Sequence, residues 1–211
     1  MDDSDKDKEK RWVAFGIGLH KVLVPKIRPF IEQEIRKEYQ KLKSNHGIHT
    51  ERCKWPDEYK ETLNYENINR NYKSKTPDEK YDYSKFDYRV KSHIGFAKLF
   101  VENYMARFNA FDERCDASAL IVLLRKVPVF SRDVQTEAFN LLLFRNNWAH
   151  CKLTEWNQDG FKQSFVQMEK LVKSLGLPSA DESDILTELQ DWQKKGNLYL
   201  TIIRRRRSEH R

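Results

Sequence analysis

Glycine and proline are scarce, with 7 and 6 in 211 residues. That is too few for a turn-rich β-sandwich or a low-complexity chain. Cysteine is scarcer still: Cys53, Cys115 and Cys151 form an odd and widely spaced set. A disulfide framework is therefore not expected, and an intracellular location, cytoplasmic or nuclear, is. No run approaches the roughly 18 apolar residues of a membrane span. The opening MDDSDKDKEK has no apolar stretch, which is not the pattern of a secretory signal. A Gly-rich phosphate loop, a Ser-His-Asp order and a Cys-x2-Cys pair are also missing.

What the chain has in quantity is charge. Charged residues make up 34% of it, with a formal net charge of +7. The excess is uneven. Residues 1–19 carry net −1, residues 20–111 net +6, residues 112–196 net −2 and residues 197–211 net +4. A basic balance attracts polyanions, nucleic acid among them, without specifying which; it also serves ordinary solubility.

Apolar spacing predicts an all-α protein, an antiparallel helical bundle with an N-terminal helical extension and a polar loop insertion. Residues 1–10 read as a disordered, solvated arm. Trp12, Phe15, Leu19, Val22 and Leu23 mark a first helix, which Pro25 should interrupt. Ile27, Phe30, Ile31, Ile35, Tyr39 and Leu42 mark a second, with Pro29 tolerated in its first turn. Residues 44–84 break the pattern and read as long polar loops, so residues 11–85 form N-terminal helices plus an insertion that pack on the bundle. Residues 86–196 form the bundle itself. A long helix is expected from Phe86 to Phe108. The apolar DASALIVLLRKV, capped by Asp116, is expected at the centre. A further helix runs from Ser131 to about His150. Another contains Phe161, Phe165, Met168 and Leu175, and a last one contains Ile185, Leu189 and Trp192, with Gly196 as its stop. Residues 197–211 form a basic tail.

One constellation carries chemistry. On a helix over 135–150, Phe139, Leu142, Asn146, Ala149 and His150 share a stripe, so two polar side chains end an otherwise apolar face. Asn146 and His150 lie about 40° apart, and Arg145 adjoins Asn146. A structural reading makes His150 a helix-terminal histidine and pairs Arg145 with Glu137 or Glu155. A functional reading makes the group an RNA-cleaving site without a metal or other cofactor. Imidazole can take a proton from a ribose 2′-hydroxyl or give one to the departing 5′-oxygen. Guanidinium can stabilise charge developing on phosphorus, and Asn146 can orient a neighbour. One histidine does not supply both acid and base, whereas two copies about a two-fold axis do. Arg145 and His150 stand about 140° apart on an ideal helix, so one regular helix does not converge them.

Arg145-Asn146-Asn147-Trp148-Ala149-His150 resembles the R-x4–6-H motif of HEPN domains, including the polar residue directly after the arginine. CDASALIVLLRKVPVF, VQTEAFNLLLFRNNWAH and a helix ending near LVKSLG are similar to the helical core of a vertebrate family named as an X-chromosome open reading frame. Its tryptophan-bearing first helix resembles RWVAFGIGLH. The HEPN-like part spans about residues 86–195 and the weaker match most of residues 11–195. The resemblance implies an all-α bundle, a homodimer, and binding or cleavage of RNA at a composite cleft formed by Arg145, Asn146 and His150. Other HEPN-like domains are non-catalytic, so a protein–protein interaction domain of a signalling or innate-immune protein is the alternative.

Other features carry less. His46, His49 and Cys53 could give three zinc ligands, but no fourth is near. Cys115 and Cys151 read as packed thiols. Tyr59, Tyr65, Tyr72, Tyr81, Tyr83 and Tyr88, interleaved with Lys and Arg, suit either base stacking or a loop that covers the bundle. Arg204, Arg205, Arg206 and Arg207 form a run that can contact RNA, act as a nuclear address or touch anionic lipid.

Overall fold

Ser4 opens the first helix. Its hydroxyl accepts from the Asp7 N–H at 3.3 Å, and Asp5 and Asp7 in the first turn suit the positive end of the helix dipole. The computed structural model describes residues 4–50, 55–59, 63–70 and 82–208, with side chains described to residue 196. Helix α1 is Asp5–Ile17. The expected arm is thus helical from Asp5, because the capping serine and acidic first turn outweigh the lack of apolar residues there.

Pro25 does not interrupt the rod. Gly18–Leu23 form a π-helical turn, and α2, Val24–His46, continues from it. Proline lacks an N–H, and its ring crowds the carbonyl four residues back. The wider turn accommodates this: the Val24 N–H donates to Leu19, five residues back. Pro29 also lies inside α2. The remaining helices are α3 His93–Lys98, α4 Ala117–Lys126, α5 Arg132–Ala149, α6 Gln158–Ser174 and α7 Ser179–Ser208. Among the described residues there is no strand, and no helix is long and apolar enough to cross a membrane. The protein is all-α.

Two compact units divide the chain, residues 1–27 with 136–211, and residues 28–135. The divide does not follow the expected border at residues 85 and 86; it passes through α2 and α5. In the first unit α1, α6 and α7 pack on one another around Phe15, Phe161, Phe165, Met168, Leu171 and Leu189, all buried. Helix α7 runs straight through Gly196 rather than stopping there. A Cβ on Gly196 would run into the Phe161 ring and lie 3.1 Å from Ala14. The glycine therefore serves close packing, not termination.

In the second unit α2 buries Ile31, Ile35, Tyr39 and Leu42, on the predicted stripe. Helix α4 is buried without interruption from Ala117 to Leu124, and Asp116 caps it by accepting from the Ala119 N–H at 2.9 Å. The long helix expected over residues 86–108 shortens to the six residues of α3. Asparagines from the polar segment take up the backbone that a helix would have used. The Asn67 side chain donates to Lys98 O at 2.6 Å and Val101 O at 2.8 Å. Asn69 accepts from Asp87 N at 2.7 Å and donates to Asp87 O at 3.0 Å. Phe86, Val90, Ala97, Val101 and Phe108 are still buried, whereas Tyr104, on the same expected stripe, is 66% exposed, so most of the apolar positions are core while their helical period is not realised.

Candidate functional site

Helix α5 has two faces with the same four-and-three spacing. One line is Val134, Ala138 and Leu141, all buried, continuing to Arg145 and Trp148. The other passes through Phe139 and Leu143, which are 43% and 51% exposed, and continues to Asn146 and His150. The apolar face expected to end in Asn146 and His150 is thus the wetter one. Both faces carry large apolar side chains, so periodicity alone does not say which the core takes.

This division splits the three-residue group. Arg145 follows the buried line, and its Nε is buried with no hydrogen-bond partner among the described residues. Its Nη1 turns sideways and donates to Asn146 Oδ1 at 3.3 Å. His150 stands at the helix end with its side chain exposed. Its backbone N–H donates to Asn146 O at 3.0 Å. The structure therefore brings Arg145 and Asn146 together and leaves the His150 imidazole in water. Neither Glu137 nor Glu155 bonds Arg145 among the described residues; Glu137 instead accepts from Gln167.

The helix ends through backbone strain. The Lys152 N–H donates to Asn147 O at 3.1 Å and the Cys151 N–H to Trp148 O at 3.0 Å, a Schellman closure that needs a left-handed residue. Cys151 fills that place at φ 51°, where glycine is usual. Its thiol is exposed rather than packed, whereas Cys115 is buried as expected and burial pushes its thiol up to about 12.

Trp148 ties this end to α1. The Trp12 and Trp148 rings stack at 5.4 Å and 17°. Trp12 Nε1 donates to Trp148 O at 2.8 Å, and Trp148 Nε1 donates to Trp12 O at 3.1 Å. Gly16 leaves room for this, since a Cβ there would stand 2.7 Å from Trp148 Nε1. His20, in the π turn, packs on the Trp148 ring at 4.8 Å between centroids. Sequence reasoning missed this second imidazole. Its signal was Pro25, whose crowding sets the wide turn, and such turns are frequent at functional sites. Trp148 and His150 stand about 200° apart around the helix, so His20 and His150 belong to different faces of α5.

The other candidates fare as follows. Arg204, Arg205, Arg206 and Arg207 fall in the last turns of α7, and their side chains lie outside the described residues. Cys53, Tyr72 and Tyr81 also lie outside them. His46 is exposed at the end of α2 and His49 is half-buried. Among the described residues no three His, Cys, Asp or Glu side chains gather as a metal site. Tyr59 is buried and donates to Glu38 at 2.8 Å. Tyr65 and Tyr88 meet edge to face at 4.9 Å. These three tyrosines are held by neighbours within the fold; Tyr83 is more exposed and donates to Glu66 at 2.7 Å.

The described residues define an all-α protein with its candidate site at the C-terminal end of α5. Comparison with protein-family models, with curated proteins and with solved structures finds no match for this chain.

Proposed function

We propose that this chain is a HEPN-like RNA-binding protein that acts as a homodimer and cuts RNA as a metal-independent endoribonuclease inside the cell. The observation that supports it is the open His150 imidazole one turn from the bonded Arg145–Asn146 pair. The ribose 2′-oxygen attacks the adjacent phosphorus and the bond to the 5′-oxygen breaks. One imidazole accepts the 2′-hydroxyl proton, and one from the second copy protonates the leaving 5′-oxygen. Arg145 donates to the phosphorane oxygens, and Asn146 holds the guanidinium for that role. The four arginines from Arg204 to Arg207 add sequence-indifferent, salt-sensitive attraction to the RNA backbone.

Purified protein incubated with single-stranded RNA in EDTA tests this. Cleavage is expected, leaving 2′,3′-cyclic phosphate and 5′-hydroxyl ends, and His150→Ala should abolish it. That variant is a clean control. The ring is exposed and bonds nothing described, so its loss should change stability by less than about 0.5 kcal/mol. RNA left intact by wild type and variant alike removes the nuclease reading. The second reading, a non-catalytic protein–protein interaction domain of a signalling or innate-immune protein, is favoured by Phe139 and Leu143, two large apolar side chains one turn apart that are 43% and 51% exposed.

A further inference from the structure

Within the unit of residues 28–135, two cations share one cavity. Arg70 and Lys98 both line an open space of about 550 Å³, and among the described residues no carboxylate lines it. Each cation is held by a neutral acceptor. Arg70 Nη2 donates to Asn103 O at 2.7 Å, and Lys98 Nζ donates to Asn109 Oδ1 at 2.9 Å. Burial, then the nearby Arg70 charge, holds the Lys98 ammonium below its usual range. A lysine near a like charge, with no acid among the described residues that line the space, favours an anion from outside. Ile68 and Ile94 add an apolar wall. We propose that this cavity binds a small organic phosphate of nucleoside-monophosphate size, its phosphate held by Arg70 and Lys98.

The volume suits such a ligand, since small-molecule sites commonly span about 300–1,000 Å³. Arg70 and Lys98 each keep N–H donors beyond the one bond named. Ser92 lines the same space; its Oγ accepts from the Gly95 N–H at 3.0 Å, which leaves its own O–H to donate to phosphate. Asn67 spends its amide nitrogen on two backbone carbonyls, and its Oδ1 is buried with no partner among the described residues. Its two bonds fix Asn67 as part of the cavity wall. The isoleucine wall takes the carbon skeleton. The proposal does not depend on the RNA reading: a chain that cuts no RNA would still bind the phosphate.

Calorimetric titration of the full chain at constant ionic strength tests it, with adenosine 5′-monophosphate, ribose 5-phosphate, inorganic phosphate and adenosine as probes. Saturable binding is expected for the two organic phosphates, weaker binding for inorganic phosphate and none for adenosine. Lys98→Met keeps an unbranched apolar side chain and removes the ammonium, which lies 5.7 Å from the Phe108 ring centre; it should weaken adenosine 5′-monophosphate at least about tenfold, the loss of one charge-assisted bond. Arg70→Gln should do the same, and it carries the test if circular dichroism shows Lys98→Met unfolded. Silence from every phosphate probe would overturn the proposal, as would unchanged affinity in a folded variant or adenosine binding as well as its phosphate. Inorganic phosphate binding as tightly as the nucleotide would overturn the organic ligand.

Discussion

Trp12 and Trp148 each donate their indole N–H to the other's backbone carbonyl while their rings stack. Buried indoles usually find an acceptor; here each acceptor belongs to the partner residue, so α1 and the end of α5 are clasped at one point. Gly16 is part of the clasp because a Cβ there would meet the Trp148 ring. Gly16→Ala should therefore destabilise by about 1–3 kcal/mol through overpacking, although alanine in an exposed helix interior normally gains about 1 kcal/mol over glycine. In a Trp148→Leu background the same change should cost much less. A double-mutant cycle by urea unfolding measures the coupling, and strict additivity would show that the ring is not what excludes the Cβ.

Gly196 makes a second case of the same kind. Its place in α7 against Phe161 and Ala14 means that Gly196→Ala should lower the thermal midpoint. Ordinary helix propensity predicts a rise. Thermal unfolding by circular dichroism reads the sign directly, and a higher midpoint would mean that Phe161 gives way without cost.

Cys151 offers the opposite sign. A non-glycine residue in the left-handed region costs roughly 1–2 kcal/mol, and Cys151 adopts it to close α5. Cys151→Gly should stabilise the protein by about 1 kcal/mol, after allowance for the greater freedom of glycine in the unfolded chain. Chemical denaturation checks it. Cys151→Val should destabilise, because a β-branched residue fits that conformation worst.

Much of the architecture was legible from residue spacing, and the failures share a cause. Helix α4 was readable because Asp116 caps a run that is apolar on every side, so no choice of face was needed. The stripe of α2 was readable because Glu and Lys fill its other faces. Residues 86–108 misled because spacing records which positions are buried, and a coil pinned by Asn67 and Asn69 buries them as well as a helix does. Gly196 misled because glycine ends helices and also admits close neighbours, and only the Phe161 ring distinguishes the two. In α5 the motif residues were readable as a group. Their division was not, since Phe139 and Leu143 look as apolar as Ala138 and Leu141, and nothing local says which pair meets the core.

His93 gives the fold a pH dependence. Its ring is half-buried and stacked on Phe111, with centroids 6.2 Å apart. Desolvation holds its pKa below the usual 6.5; the like charge of Arg36 adds to this, and the Glu32 carboxylate at 3.2 Å opposes it without reversing it. The unfolded chain therefore takes up the proton more readily than the folded one. Stability is complete above the ordinary histidine pKa and falls as pH drops below about 6.5 towards the folded value. His93→Gln, which keeps a polar group but does not titrate, should flatten that fall. Urea midpoints for both proteins between about pH 7.5 and pH 5.5 provide the measurement, a window that avoids most carboxylate titration. A steeper acid loss in the variant than in the wild type would mean that Glu32 outweighs burial and that the ring is charged in the folded protein. Arg36→Gln should also reduce the acid loss, because it removes the like charge and releases Glu32, whose Oε1 Arg36 Nη2 holds at 2.6 Å; the reduction should be partial, since desolvation is the larger cause.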